Sequence, residues 1–297
     1  MRAGPSPADR RSSRNVQEFC RNILESGDLE AKLAPPCPAD FEQSLSPGNT
    51  TPPALRPQRA PGLSMGGQTE RLPRPNQLKA ADARARCLAR FAHHELMAVE
   101  MFAWAILRWP ELPHAIHRGL LGTLQEEQQH CRLYLQRLAA HDSQLSDHRL
   151  SDYFWKHVPA ISASTAGAAA FFASMGLTFE QGNLDFAPLY RDAFREAGDT
   201  VSADVCEQVH RDEIGHVRFA ASALRELSKA AEAKTDIELY EHAAPFPLSA
   251  SRAKGRRFDA SSRRQAGLSE TFIEYVRTAR SPQELRSDPR LAADRSR

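Results

Sequence analysis

The chain has 297 residues, a formal net charge of +2 and a hydrophobic fraction of 41%. This length allows one large domain or two medium ones, and the nearly neutral charge does not call for a polyanionic partner. The hydrophobic fraction is enough for a buried core, although it is on the low side of the average for globular proteins.

The five cysteines are spread along the chain, and no two of them form a C-x-x-C pair. An odd, scattered set argues against a disulfide framework and against a thiolate zinc or iron–sulfur site, so we expect reduced thiols. No apolar segment of signal-peptide type follows the N-terminal arginines, and the most apolar stretch, residues 166–179, is too short to span a bilayer. These features predict a cytoplasmic protein that does not enter a membrane.

Residues 1–79 are rich in proline, since most of the 20 prolines lie before residue 81. Such a composition does not sustain long helices or central strands. One exception spans residues 15–33, where apolar side chains recur at helical spacing. We therefore predict an extended N-terminal arm with one short helix, laid over the main domain.

Four long helices are predicted between residues 80 and 230, and they define the second region of the chain. Pro110 ends the first helix, Pro188 is expected to kink the third, and Gly198-Asp199 separates the third from the fourth. Two helix pairs joined by one long crossover predict an all-α four-helix bundle. The predicted helices span residues 80–109, 114–140, 166–196 and 200–227.

Residues 231–297 form a third region, a C-terminal extension. It is predicted to contain a short acidic helix, a proline loop, a basic stretch over residues 251–264, a short helix over residues 268–276 and a polar tail. No repeat of the solenoid type is present in the sequence.

Two Glu-x-x-His motifs lie on predicted helices of the bundle: Glu127 with His130 on the second helix, and Glu213 with His216 on the fourth. Residues three apart project from the same face of a helix, so one carboxylate and one imidazole can bind the same ion. A single motif of this kind is weak evidence. Two copies gain weight when the other two helices each contribute an inward-facing glutamate.

The first and third helices each carry such a glutamate, Glu95 and Glu180, within an apolar helix face. An ionised carboxylate in an apolar environment is costly unless it is paired or bound to a metal. Two lone glutamates together with two Glu-x-x-His motifs match the donor pattern of ferritin-like di-iron proteins.

Rival ligands exist on the same helices, namely Glu100 on the first helix and Glu207 with His210 on the fourth. The lone glutamate and the following motif are almost equally far apart in both helix pairs, which suits a pseudo-two-fold arrangement. Substituting both rivals also produces equal separations, so spacing alone leaves the choice open. His93, His94, His114 and His117 fit no ligand geometry and are predicted to face solvent or neighbouring side chains.

Several segments resemble known ferritin-like proteins. The second-helix segment EQQHCRLYLQRL, the fourth-helix segment RDEIGH and the first-helix segment ELMAVEMF resemble motifs of bacterioferritin-type proteins and of rubrerythrins. A closer resemblance, covering most of the chain from about residue 15, is to a large bacterial ferritin-like family of unassigned function. It is carried by HHELMAVE, LTFEQGNLDFA, DEIGHVRFA and GRRFDASSRRQAG.

The resemblance implies six metal ligands and two supporting carboxylates, and it selects Glu95 over Glu100. One metal would have Glu95 and His130 as terminal ligands, and the other would have Glu180 and His216, with Glu127 and Glu213 bridging. Glu126 and Asp212 match the positions that accept the second N–H of the ligand histidines. Phe102 stands where bacterioferritins have a tyrosine, so no argument from a redox-active tyrosine applies at that position.

The implied cofactor is a pair of iron ions, with an Fe/Mn or a manganese pair as alternatives. We expect an O₂-activating oxidase or oxygenase that acts on a small-molecule substrate and receives electrons from an external donor, because no rubredoxin-like C-x-x-C pair is present. A small oligomer such as a homodimer fits this interpretation.

Two other functions are compatible with the sequence. The first is iron binding with ferroxidase and storage activity, although the long terminal regions would encumber a ferritin shell. The second is tRNA hydroxylation, since a tRNA-hydroxylating family shares the ferritin-like fold and a basic cluster could contact phosphates. That cluster comprises Arg252, Lys254, Arg256, Arg257, Arg263 and Arg264.

Overall fold

The computed structural model describes residues 15–43, 52–66, 70–229 and 235–281. Over these ranges the chain is all-α with bundle-like helix packing, as predicted, and it contains no strand beyond one isolated bridge between Met65 and Leu150. The start of the predicted arm, part of its proline-rich centre and the predicted polar tail lie outside the described residues.

The chain divides into two units by the clustering of its contacts. Unit 1 contains residues 1–158 and 194–205, and unit 2 contains residues 159–193 and 206–297. The predicted division into residues 1–79, 80–230 and 231–297 stays a prediction.

The N-terminal segment of unit 1 forms two short helices instead of the single helix predicted over residues 15–33. Helix α1 spans Val16–Glu25, with Asn15 as its N-cap, and helix α2 spans Leu29–Leu33. The two are separated at Gly27, where the chain meets residues 58–60 so closely that a Cβ atom on Gly27 would lie 3.0 Å from the Ala60 nitrogen. The Ala60 N–H donates to the Gly27 carbonyl at 3.0 Å, so packing against a distant segment explains the break.

The two long helices of unit 1 agree with the predicted bounds to within one residue at each end. Helix α3 spans Ala81–Arg108 and helix α4 spans His114–Ala139. Pro110 and Pro113 lie in the turn between them and keep the two helices separate, because proline cannot donate a backbone hydrogen bond inside a helix. Nearly all side chains in the second half of α3 are buried, so α3 lies at the centre of the unit 1 core.

The long crossover after α4 contains only short helical turns within the described residues, among them α5, Val158–Ser162. At the C-terminal end of α4, Arg137 donates to Ser202 and to Asp199, and the ring of His141 pairs with Asp199 at 2.9 Å. These bonds hold residues 194–205 within unit 1.

The third predicted helix, residues 166–196, is corrected to three consecutive segments. Helix α6 spans Ala168–Ser174, a π-helical segment spans Met175–Glu180, and helix α7 spans Gln181–Glu196. Helix α7 includes Pro188, and the kink predicted there stays a prediction. The fourth helix, α8, spans Thr200–Leu227 as predicted.

In its described residues, 235–281, the C-terminal extension adds three α-helices to unit 2 and contributes one partner of a buried ion pair. They are α9, Asp236–Ala243, α10, Ala260–Gln265, and α11, Glu270–Thr278. The Arg263 guanidinium donates to both carboxylate oxygens of Asp185, at 2.7 and 3.0 Å, and both side chains are fully buried. Asp185 also accepts from the backbone N–H groups of Gly255 and Asp259. The predicted basic stretch is therefore anchored on α7.

No helix in the described ranges combines the length and the apolar character needed to cross a membrane.

Candidate metal centre

The buried acidic residue Glu95 lies in the middle of α3. It is surrounded along the helix by Ala92, Ala98, Val99 and Phe102, all of which are buried. This helix forms readily because it combines alanine, leucine and methionine with no internal proline or glycine. The apolar pattern therefore turns the Glu95 carboxylate into the core.

Helix α4 carries the first Glu-x-x-His motif on its buried face. The nearest carboxylate oxygen of Glu127 lies 3.5 Å from Nδ1 of His130. The ligand atoms of Glu95, Glu127 and His130 all lie within 4.8 Å of one another. Unit 1 thus contains a buried group of two carboxylates and one imidazole that could hold a metal ion.

Unit 2 contains a group with the same composition. Glu180 ends the π-helical segment, and Glu213 and His216 lie on α8 with His216 Nδ1 3.3 Å from a Glu213 oxygen. The ligand atoms of these three residues also lie within 4.8 Å of one another. We call the unit 1 group the α3–α4 triad and the unit 2 group, whose Glu180 directly precedes α7, the α7–α8 triad. All six side chains are between 0% and 5% exposed.

Asn183 is a contact of the α7–α8 triad that the sequence did not predict. It lies three residues after Glu180, and its side-chain N–H donates to Oε1 of Glu213 at 2.9 Å. The bond leaves Oε2 on the side of His216 and restricts how the carboxylate can turn. The signal was present in the spacing, since Glu180 and Asn183 share a helix face.

The rival ligands have other roles in the structure. Glu100 accepts hydrogen bonds from Arg59 and from the indole of Trp155, and it pairs with the Lys32 ammonium at 3.0 Å. On α8, Glu207 pairs with Arg191 at 2.6 Å and the ring of His210 bonds the Ser262 hydroxyl at 3.1 Å. Partners of these kinds explain why Glu100, Glu207 and His210 stand apart from the triads.

The two predicted supporting carboxylates differ in their surroundings. Glu126 is exposed and Asp212 is half-buried. Asp212 accepts a hydrogen bond from the Gln208 amide at 2.7 Å. Their predicted bonds to the ligand histidines stay predictions.

The histidines that fit no ligand geometry have two kinds of environment. His117 is buried and its ring lies 3.0 Å from the Trp109 carbonyl oxygen. His93 is also buried, but neither of its ring nitrogens has a hydrogen-bond partner among the described residues.

Cys131 lies next to the α3–α4 triad, and the negative charge there affects the pKa of its thiol. Burial raises the pKa of Cys131 well above its usual value, and the neighbouring Glu95 carboxylate raises this pKa further. The protonated Cys131 Sγ donates to the Ala92 carbonyl at 3.3 Å. Cys131 is therefore a packed thiol and not a thiolate ligand, which agrees with the expectation of reduced cysteines.

The family of the chain follows from a match over most of its length. A family model described as a protein of unknown function, DUF455, matches residues 13–274. The chain belongs to the DUF455 family. Comparison with curated proteins and with solved structures finds no significant match.

The donor chemistry of this DUF455 protein fits a metal. Two carboxylates held within 4.8 Å of one another inside a protein repel each other unless a proton or a cation lies between them. Oxygen donors with one imidazole suit hard or borderline divalent ions such as iron and manganese. Both triads offer this donor set, which is two carboxylates and one imidazole.

Proposed function

We propose that this DUF455 protein is a ferritin-like carboxylate protein that holds a pair of metal ions, iron in the first instance, and acts as an O₂-activating oxidase or oxygenase on a small substrate. One observation carries the proposal. The α3–α4 triad and the α7–α8 triad each combine one lone glutamate with one Glu-x-x-His motif, buried and with ligand atoms within 4.8 Å. This repeated donor set is the one used by di-iron carboxylate proteins.

In the proposed centre each triad would supply the terminal ligands of one ion. Glu95 and His130 would bind one ion, and Glu180 and His216 would bind the other. By the resemblance to di-iron carboxylate proteins, Glu127 and Glu213 would be the bridging ligands, and both are fully buried. An iron pair supplies electrons to O₂ when it is bound.

The protein itself would contribute position and a dry environment. Burial of all six side chains excludes bulk water and strengthens each charge–charge interaction. The Asn183 amide donates to Oε1 of Glu213 and so restrains the rotation of this carboxylate. On α3, the pairing of Glu100 with Lys32 and Arg59 fixes the helix that carries Glu95.

Iron storage and RNA modification are the alternatives. No contact in the described residues favours a storage shell. Three members of the basic cluster already have carboxylate partners: Arg257 pairs with Asp192, Arg263 with Asp185 and Arg264 with Glu270. Partners within unit 2 make these three poor candidates for contacts with RNA phosphates.

The test is oxygen consumption by the iron-loaded full-length chain. Protein loaded anaerobically with about two Fe²⁺ per chain is mixed with O₂ and a chemical reductant, and O₂ uptake is followed with an electrode. We expect repeated turnover that a Glu127→Gln variant has lost. A Glu207→Gln variant serves as the control, since it also removes one carboxylate, lies outside both triads and should retain the activity.

Three outcomes decide between the functions. Turnover that stops after one equivalent of O₂ and leaves a large iron-filled assembly on size-exclusion chromatography supports storage. Equal O₂ uptake by the wild type and Glu127→Gln contradicts the proposed site. Sustained uptake by a monomer or a small oligomer, lost in Glu127→Gln, supports the oxidase or oxygenase.

A further inference from the structure

A second cluster of ionisable side chains lies in unit 1, away from the α3–α4 triad. Arg86, Arg90 and His93 follow one another along α3 at spacings of four and three residues, so they share one helix face. Glu95 lies two residues beyond His93 and projects about 200° away around the helix axis. The face that carries these three residues is therefore separate from the face that carries the metal ligand.

A cavity opens over this face. It is lined by Arg86, Arg90 and His93 from α3, by Arg71 from the N-terminal segment and by Arg149 from the crossover. The cavity is partly open to solvent, and about 20 Å³ of it is available to the centres of water-sized groups. The cavity therefore suits the end of a ligand and not a whole cofactor.

The charge lining the cavity is strongly positive. Four arginines face one carboxylate, Glu70, which lies 3.8 Å from the ring of His148. Arg86 pairs with Asp82 at 2.6 Å, whereas Arg71, Arg90 and Arg149 have no carboxylate partner among the residues that the structure describes. Guanidinium groups gathered without matching acids attract an anion.

The buried wall of the cavity also has unused hydrogen-bonding capacity. His93 is fully buried and lines the cavity, yet neither ring nitrogen bonds to any described residue. The Nε–H of Arg90 is buried and likewise has no partner there. A buried polar group without a partner costs free energy that an incoming acceptor would recover.

We propose that this cavity is an anion-binding site for a phosphoryl group, with Arg86, Arg90, Arg149 and His93 as its donors. A phosphoryl group presents several acceptor oxygens and fits the fork of a guanidinium. The site does not depend on the metal pair, and it goes beyond the proposed oxidase or oxygenase function. The phosphoryl group comes either from inorganic phosphate or from a larger phosphate ester.

The test is isothermal titration calorimetry of the full-length chain with inorganic phosphate and, separately, with glycerol 3-phosphate. Ionic strength is held constant so that general screening does not change between injections. We expect one saturable site. Arg90→Gln, and independently the double variant Arg86→Gln/Arg149→Gln, should weaken binding about tenfold or more, since each removes charged hydrogen bonds.

The control removes the same charge from elsewhere on unit 1. Arg74 and Arg118 are exposed and do not line the cavity, so Arg74→Gln/Arg118→Gln should change the affinity less than about twofold. Glu127→Gln should bind phosphate as the wild type does, which separates this site from the metal site.

The outcomes are decisive in both directions. Equal affinity for the two ligands supports a site for the phosphoryl group alone, and at least tenfold tighter binding of the ester supports a larger ligand. The proposal is overturned if neither ligand binds saturably, if the control variant loses affinity as much as Arg86→Gln/Arg149→Gln, or if binding disappears in Glu127→Gln.

Discussion

Two carboxylates on α3, Glu95 and Glu100, are five residues apart and both buried in unit 1, yet their surroundings are opposite. Glu100 meets two cations, Lys32 at 3.0 Å and Arg59 at 2.7 Å, and an indole N–H from Trp155 at 3.1 Å. Glu95 meets a second carboxylate, that of Glu127, together with the imidazole of His130.

The difference shows how a buried acid can be compensated in two ways. The chain supplies its own cations to Glu100, with the Lys32 ammonium also donating to the Ile23 carbonyl at 2.6 Å. Burying such an ion pair costs desolvation free energy, and several charge-assisted hydrogen bonds offset this cost. The α3–α4 triad has a donor set that calls for an external cation instead, and that contrast underlies the proposed metal pair.

The largest effect on stability is expected for Glu100→Gln. This change leaves Lys32 and Arg59 buried without an anionic partner, so the free energy of unfolding should fall by about 3–5 kcal/mol. Urea denaturation of the metal-free protein measures it. A loss below about 1 kcal/mol would mean that the three buried charges contribute little to folding.

Glu95→Gln provides the matched comparison on the same helix. In metal-free protein it removes one of two carboxylates that repel each other, so we expect stability to be unchanged or higher. A loss as large as that of Glu100→Gln would show that both glutamates are compensated by the chain alone, and the contrast between them would fail.

After Glu100→Gln, the next largest change in the free energy of unfolding is expected when metal is added to the wild type. An ion that binds only the folded state at about 100 times its Kd contributes about 2.7 kcal/mol. We therefore expect Fe²⁺ or Mn²⁺, added anaerobically, to raise the Tm, and Glu127→Gln to abolish the rise. An equal rise in both proteins would place the responsible ion elsewhere.

A smaller effect is expected for Lys32→Met, which keeps the volume of the side chain and removes its charge. Glu100 would retain Arg59 and Trp155, so the free energy of unfolding should fall by about 1–3 kcal/mol. Metal content, measured by elemental analysis, should stay at the wild-type value. A loss of metal would instead connect the N-terminal segment to the centre.

The smallest effect is expected for Glu207→Gln on α8. Its pairing with Arg191 is partly exposed to solvent, so the free energy of unfolding should change by less than about 1 kcal/mol. Metal content should not change either. A clear loss of metal would restore Glu207 and His210 as ligand candidates.

Local sequence signals were sufficient for the long helices. Proline at residues 110 and 113 and the Gly198-Asp199 pair mark helix ends by backbone chemistry alone, so α3, α4 and α8 could be predicted to within a residue. The π-helical segment could not be predicted from local signals, and it lies where the chain approaches α8. A Cβ atom on Gly176 would lie 2.0 Å from the Ala220 Cβ, so the two helices approach very closely there.

The sequence predicted the donor residues of the site, but it did not predict which buried glutamate is paired with cations of the chain. The two Glu-x-x-His motifs and the lone glutamates follow from helical spacing, but the choice of Glu95 over Glu100 required a family resemblance. The two cations that distinguish these glutamates come from the N-terminal arm, Lys32 from α2 and Arg59 from the proline-rich stretch after it. Lys32 and Arg59 reach α3 only through tertiary packing, which the sequence pattern does not encode.

The most direct test of the metal pair is the metal content of the wild type, Glu127→Gln, Glu213→Gln and Glu95→Gln, purified from iron-supplied cells and measured by elemental analysis. We predict about two ions per wild-type chain. Both bridging variants should lose the two ions together, and Glu95→Gln should retain more metal than either of them. Equal metal content in all three variants, or the loss of a single ion in each bridging variant, would contradict a shared dinuclear centre.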